Sequence, residues 1–143
     1  MEDLLNVKGK TYVVMGVANQ RSIAWGVAKS LHKAGAKLIF TYRQERSLKK
    51  LNKLLDENNI ESELTVQCDV NSDESIKDAF NKIGDHIESI AGVVHSVAFA
   101  HMEDLRTNFV NTSREGYAFA QDTSAYSLIA VAREAKRPMK NGG

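Results

Sequence analysis

Thr11-Tyr-Val-Val-Met-Gly16-Val-Ala-Asn-Gln-Arg-Ser22-Ile-Ala-Trp-Gly26 is the stretch that decides the fold. Thr11 to Met15 is β-branched and aromatic, too short for a helix, and stops at a glycine, so it reads as a strand. From Ser22 to Ala34, Ile23, Val27 and Leu31 recur at i, i+4 and i+8, the apolar stripe of an amphipathic helix. Gly35 follows, where a left-handed C-cap is expected. Strand, glycine turn and helix in that order open a βαβ unit. Gly16 permits the tight turn, and Gly26, one turn into the helix, is expected to let it approach the sheet closely.

The alternation continues along the chain. Lys37 to Tyr42 reads as a second strand, and Ser47 to Asn58 as a helix with Leu48, Leu51, Leu54 and Leu55 inward. Glu63 to Cys68 is a third strand. Asp73 to Ile83 is a helix with Asp73 and Glu74 at the positive end of its dipole. Ala91 to Ala98 is a nearly all-apolar strand, as expected where helices cover both faces. Thr112-Ser-Arg-Glu115 has a capping-box pattern and predicts one long helix reaching about Lys136. The order βαβαβαβα predicts right-handed crossovers and a parallel sheet. A Rossmann-type doubly wound α/β fold would order its strands 3-2-1-4.

Composition narrows the functional classes. The 143 residues fit one domain, 1–143, long enough to bury roughly two-thirds of its unfolded surface. With 43% hydrophobic and 26% charged residues, it has a soluble, globular composition. A net charge of +1 argues against a nucleic-acid or membrane-surface partner. No apolar run approaches the ~20 residues of a membrane span, and Met1-Glu-Asp-Leu-Leu5 lacks the order of a secretory signal. The single cysteine, Cys68, excludes an internal disulfide and a Cys-based zinc site. A cytoplasmic enzyme is expected.

The loop from Gly16 to Gly26 is not G-x-G-x-x-G, yet it retains the means to hold a pyrophosphate. Its length can bring backbone N–H groups forward, and Ser22 offers a hydroxyl at the anion-favouring end of a helix. The plainer alternative is a glycine turn with an ordinary N-cap serine. The second strand ends Thr41-Tyr42-Arg43-Gln44, where NAD-specific folds usually place an acid for the ribose 2′-hydroxyl. Arg43 offers a planar cation for a 2′-phosphate instead, which favours NADPH over NADH. Against that, Arg43, Arg46, Lys49 and Lys50 could form a solvated basic face. Asp69 could accept from an adenine amino group or cap the turn that follows it. Ser96, Val97 and Ala98 end the fourth strand, at the switch point where ligands lie against parallel sheets. His32, His86, His95 and His101 are scattered without metal-ligand spacing, and no G-x-S-x-G elbow supports a hydrolase. Trp25 is read as packing or capping the first helix, and Cys68 as a small buried hydrophobe.

Together the Gly16…Ser22-Ile-Ala-x-Gly26 loop, Phe40-Thr-Tyr, Cys68-Asp-Val, Ser96-Val-Ala-Phe-Ala100 and Asp122-Thr-Ser-Ala-Tyr-Ser-Leu128 carry a specific resemblance. The chain resembles the bacterial type I enoyl-acyl-carrier-protein reductases of the short-chain dehydrogenase/reductase superfamily. The likeness covers the whole chain but only the first half or so of a family member, without the later strands. The resemblance implies that Gly16, Ser22 and Ile23 surround the pyrophosphate and ribose, and that Arg43 meets a 2′-phosphate. It implies that Asp69 and Val70 flank adenine, and that Ser96, Val97 and Ala98 line the nicotinamide side. Ala18 in the loop, Gln44 beside Arg43 and Cys68 beside Asp69 complete the expected cofactor contacts. Phe99, Ala100 and Leu105 match the beginning of an acyl-pocket wall, and Ser124 stands where many superfamily members have an asparagine.

The implied reaction is hydride delivery from NADPH to the β-carbon of a trans-2-enoyl thioester carried on acyl carrier protein, by a homo-oligomer. A donor must stabilise the enolate that develops. The family assigns this to a tyrosine, with a lysine on the same helix, and both are expected beyond Gly143. Two pairs here share the family's Tyr-x6-Lys/Arg interval, Tyr42 with Lys49 and Tyr126 with Arg133. The first sits on the adenosine side and the second on the wrong helix, so no catalytic residue is assigned. A non-catalytic nucleotide-binding module and a 3-ketoacyl-carrier-protein reductase are the alternatives. The Ser96-Val-Ala-Phe-Ala run opposes the latter, and a nearly all-apolar last strand left as a bare edge opposes the former.

Overall fold

The computed structural model describes residues 3–143; the Met1-Glu2 part of the N-terminal reading lies outside them. Four parallel strands, β1 (Thr11–Met15), β2 (Lys37–Tyr42), β3 (Leu64–Gln67) and β4 (Gly92–His95), pair in the order β3-β2-β1-β4. The register sets Val13 opposite Ile39 on one side and opposite Val93 on the other. Helices α1 (Ile23–Lys33), α2 (Glu45–Glu57) and α3 (Asp73–His86) link successive strands. A short α4 (Met102–Arg106) and then α5 (Arg114–Gln121), a π-wound turn (Asp122–Tyr126) and α6 (Ser127–Ala135) complete the chain. The predicted Rossmann-type winding is present.

Alternation along the strands divides the core into two layers. Val14, Leu38 and Phe40 face α1 and α2, where they meet Ala24, Trp25, Ala28, Leu51, Leu54 and Leu55. Val13, Met15, Ile39 and Val66 face α3 and α6, against Ile76, Phe80, Ile83, Ala130 and Val131. Of the leucines read as inward on α2, Leu51, Leu54 and Leu55 are on its core face, whereas Leu48 is only half-buried and lies outside the core. β4 departs from expectation. It is shorter than Ala91–Ala98, and it is half-buried rather than buried because it is an edge strand with a neighbour on one side only.

Helix α1 corrects the periodicity reading. Ala24, Trp25 and Ala28 are its buried residues, whereas Ile23 is 80% exposed. The stripe Ile23-Val27-Leu31 lies along the flank of the helix beside Leu5 and Val7. A single tryptophan flanked by alanines fills the space above β1 and β2, so the bulky aliphatic residues are displaced sideways. Gly26 is also not where the helix nears the sheet, since a β-carbon there would meet nothing within 4 Å. Gly35 does hold the expected left-handed position, at φ +88°.

The last helix differs too. Ser113, not Thr112, caps α5, its hydroxyl accepting from the Gly116 N–H, so the reciprocal partner of a capping box is missing. The predicted long helix runs without interruption from Arg114 to Ala135, but it contains a π-wound turn where the Ser127 N–H reaches back to the Asp122 carbonyl. Trp25→Ala should destabilise the chain by ~3–5 kcal/mol, and Ile23→Ala by no more than ~0.5 kcal/mol. Urea denaturation of both variants checks the orientation of α1, and a larger loss at Ile23 would reverse it.

Candidate functional site

The carboxyl ends of all four strands open into one cleft at the point where chain order reverses between β1 and β4. Gly16 closes β1 with φ +101°, and a β-carbon on it would lie 1.9 Å from the Ser96 carbonyl oxygen. Glycine is therefore required twice over, by its left-handed backbone and by the close approach of the segment after β4. The Ser96 N–H donates to the Met15 carbonyl, which holds the two strand ends together.

Ser22 does more than begin a helix. Its hydroxyl accepts from the backbone N–H groups of Ala18 (3.0 Å) and Asn19 (3.1 Å), folding the loop back on itself. The Asn19 side chain in turn accepts from the Arg21 N–H at 2.8 Å. The loop N–H groups nearest Gly16 are thus partly consumed internally. In the first turn of α1 the N–H groups of Ile23 and Ala24 also have no partner within the helix.

Of the residues singled out by sequence, Gly16, Ala18, Arg43, Cys68, Asp69, Val70, Ser96, Val97, Ala98 and Phe99 border the cleft. Ser22, Ile23, Gln44, Ala100 and Leu105 do not line it. Ser22 and Ile23 lie just behind the loop, and Gln44 is the N-cap of α2, its carbonyl accepting from Ser47 and Leu48. Leu105 sits on α4, 66% exposed. Arg43 lines the cleft, and no carboxylate lies within ion-pair distance of it among the described residues. Arg46 and Lys49 do not border this cleft, and Lys50 lines a separate groove between α1 and α2. Asp69 accepts from the Asn71 N–H at 3.0 Å and so shapes its turn while bordering the cleft.

Sequence reading missed Ser47, Asn71 and Thr123, which also border the cleft. Asn71 and Thr123 meet across it, the Asn71 side-chain amide donating to the Thr123 hydroxyl at 2.7 Å. Nothing local in the sequence marks this pairing, because the two residues belong to elements far apart in the chain. Of the histidines, His95 bonds Ser127 at 2.8 Å, and His101 stacks on Phe119 with ring centroids 4.5 Å apart. No cluster of His, Cys, Asp and Glu suited to a metal occurs among the described residues. Tyr126 and Arg133 do share a helix face, and the hydrogen bond that the guanidinium donates to the tyrosine oxygen raises its pKa from the ordinary value.

Comparison with known proteins gives this arrangement a family. Residues 16–143 match the family model described as Enoyl-(Acyl carrier protein) reductase. The chain is 56% identical over 140 residues to the enoyl-[acyl-carrier-protein] reductase [NADPH] FabI of Staphylococcus aureus, covering 98% of this chain and 55% of that protein. It is 53% identical over 137 residues to the [NADH] FabI of Bacillus cereus, covering 96% and 54%. A crystal structure of the Bacillus cereus reductase with NADP+ and indole naphthyridinone superposes with a TM-score of 0.90 at 53% identity, covering 96% of this chain and 53% of that one. The chain spans about half the length of the curated relatives it matches.

Cys68 lies at the cleft wall, and burial, followed by the neighbouring Asp69 charge, pushes its thiol up to about 11. At pH 8 only about a thousandth of it is thiolate, and thiolate is the reactive form. In the folded chain Cys68 should react with a thiol-exchange reagent at least ~100-fold more slowly than in guanidinium. Equal rates in the two conditions would show an accessible, activated cysteine.

Proposed function

The chain belongs to the enoyl-(acyl carrier protein) reductase family, and we propose that it forms the nucleotide-binding portion of an NADPH-dependent reductase of trans-2-enoyl thioesters carried on acyl carrier protein. The observation that carries this reading is the cleft at the strand-order reversal, with Gly16 pressed against Ser96 and an unpaired Arg43 on its rim. The donor set suits a dinucleotide. The N–H groups of Ile23 and Ala24, without partners in the helix, lie at the positive end of α1 and take the pyrophosphate. Arg43 takes the 2′-phosphate by a charge-assisted bond. Asp69 and Val70 form the adenine wall, and Ser96, Val97 and Ala98 the nicotinamide side.

When bound, the nucleotide supplies a hydride to the substrate β-carbon. This chain's part is to hold the reductant, with the apolar Val97 and Ala98 limiting water on the nicotinamide side. The enolate-stabilising tyrosine and its lysine belong to the additional length that the relatives have. Tyr42 and Lys49 do not substitute for them, since one ends β2 and the other is exposed on α2. The longer enzyme acts in the cytoplasm as a homo-oligomer. No helix among the described residues is long and apolar enough to cross a membrane. Exposed Leu128 and Ile129 on α6 supply apolar surface for self-association.

The relatives divide between NADPH and NADH forms, and Arg43 is the feature that favours NADPH here. Arg43→Ala should weaken NADPH binding by ~1–3 kcal/mol while leaving NADH within a few tenths of a kcal/mol, read by nucleotide fluorescence titration. An equal loss on both nucleotides would remove Arg43 from the 2′-phosphate. The 143-residue chain supplied with crotonyl thioester should oxidise no NADPH above background. Turnover would place the proton donor within this chain.

A further inference from the structure

The helix after the substrate-side segment is not uniformly wound. Across Asp122–Tyr126 the Ser127 N–H bonds the Asp122 carbonyl, five residues back, instead of the Thr123 carbonyl. The Thr123 carbonyl thus loses its usual donor, and the Ser127 hydroxyl replaces it at 2.6 Å. Having given its only proton there, Ser127 accepts from the Nε2–H of His95, 2.8 Å away at the end of β4. Ser127 is fully buried, so these bonds are not exchanged for water.

The extra residue has a geometric result. A regular helix spreads three successive side chains over about 200°. Here Asp122, Thr123 and Ser124 all reach the strand-end loops. Asn71, just after β3, donates its side-chain amide to the Thr123 hydroxyl at 2.7 Å and to the Asp122 carboxylate at 3.0 Å. The Ser124 hydroxyl accepts from the Phe99 N–H at 3.1 Å and donates to the Phe99 carbonyl at 3.3 Å. Asn71, Thr123 and Phe99 all border the cleft, and Thr123 is only 4% exposed.

We infer that the π-wound turn is a clamp fixing the separation of the β3 and β4 carboxyl ends, with Thr123 and Ser124 as positioning residues for the nucleotide cleft. Neither residue needs to touch the nucleotide. They act through Asn71 and Phe99, which lie on opposite sides of the reversal point. The link to nucleotide affinity rests on the nucleotide-binding reading given above; the clamp itself does not.

The test is nuclear magnetic resonance on the full 143-residue chain together with NADPH titration. Ser124→Ala should speed exchange of the Phe99 amide about tenfold, as expected for a lost local bond. It should also weaken NADPH binding about three- to tenfold, and Ser124→Thr should restore both. Thr123→Val should move the Asn71 side-chain amide resonances and weaken NADPH similarly, with Thr123→Ser restoring them. Ser30→Ala, which removes a hydroxyl bond to Gly26 on the exposed side of α1, should change neither readout. If Thr123→Val does not fold, the half-buried Ser124 carries the comparison alone. Faster Phe99 exchange with NADPH affinity unchanged in Ser124→Ala overturns the positioning role. If the unaltered chain binds no NADPH, the nucleotide-binding reading fails, and the Phe99 and Asn71 signals decide the clamp by themselves. Unchanged signals overturn it.

Discussion

Residue 16 has room for a hydrogen and nothing larger, because the Ser96 carbonyl oxygen occupies the place of its β-carbon. Most of the site follows from that contact. It requires β4 to lie beside β1 rather than beside β3, which is the reversal of strand order that opens a cleft. It brings the end of β4 against the glycine loop, so that Val17 and Ala18 after β1 and Val97 and Ala98 after β4 line the same cleft. A larger residue at position 16 would part the two strands that form the cleft floor.

Charge contributes little to this scaffold. Among the described residues the ion pairs are Lys53 with Glu57 and Arg137 with Glu134, both on the surface and far from the cleft, where such pairs add little stability. The cleft is held instead by backbone bonds and by serine, threonine and asparagine side chains from four elements. Such bonds are directional and short in reach, so they fix distances between strand ends better than salt bridges would. Arg43 thereby keeps its charge available on the rim.

The strand order, the left-handed Gly35 and the inward leucines of α2 could all be read from the chain, because each leaves a local sign: an apolar run, a glycine after a helix, a period of three to four. The orientation of α1 could not. Periodicity ranks Ile23, Val27 and Leu31 above alanines, yet the space over β1 and β2 is filled by Trp25, which no local pattern distinguishes from a surface aromatic. The role of Ser22 was half legible. Its place at a helix start could be read, whereas its bonds to Ala18 and Asn19 depend on how the loop folds back. The π-wound turn left no sign at all. Asp122 to Tyr126 has ordinary helical composition, and its winding is set by partners at Asn71, His95 and Phe99. Long-range polar contacts of that kind are invisible to any window of sequence.

The position of β1 has a consequence for how the chain is made. Of these four strands β1 leaves the ribosome before the other three, yet it is an inner strand whose neighbours are β2 and β4. Val13 can pair with Ile39 as soon as the first crossover is synthesised, but its partner on the other side is Val93. Until that residue emerges, a largely apolar strand has one open edge on a nascent chain. Closing that side requires a loop spanning much of the chain, the slow kind of contact in folding. The earliest strand is therefore the last to be enclosed, and chaperone contact during translation would fall on Thr11–Met15.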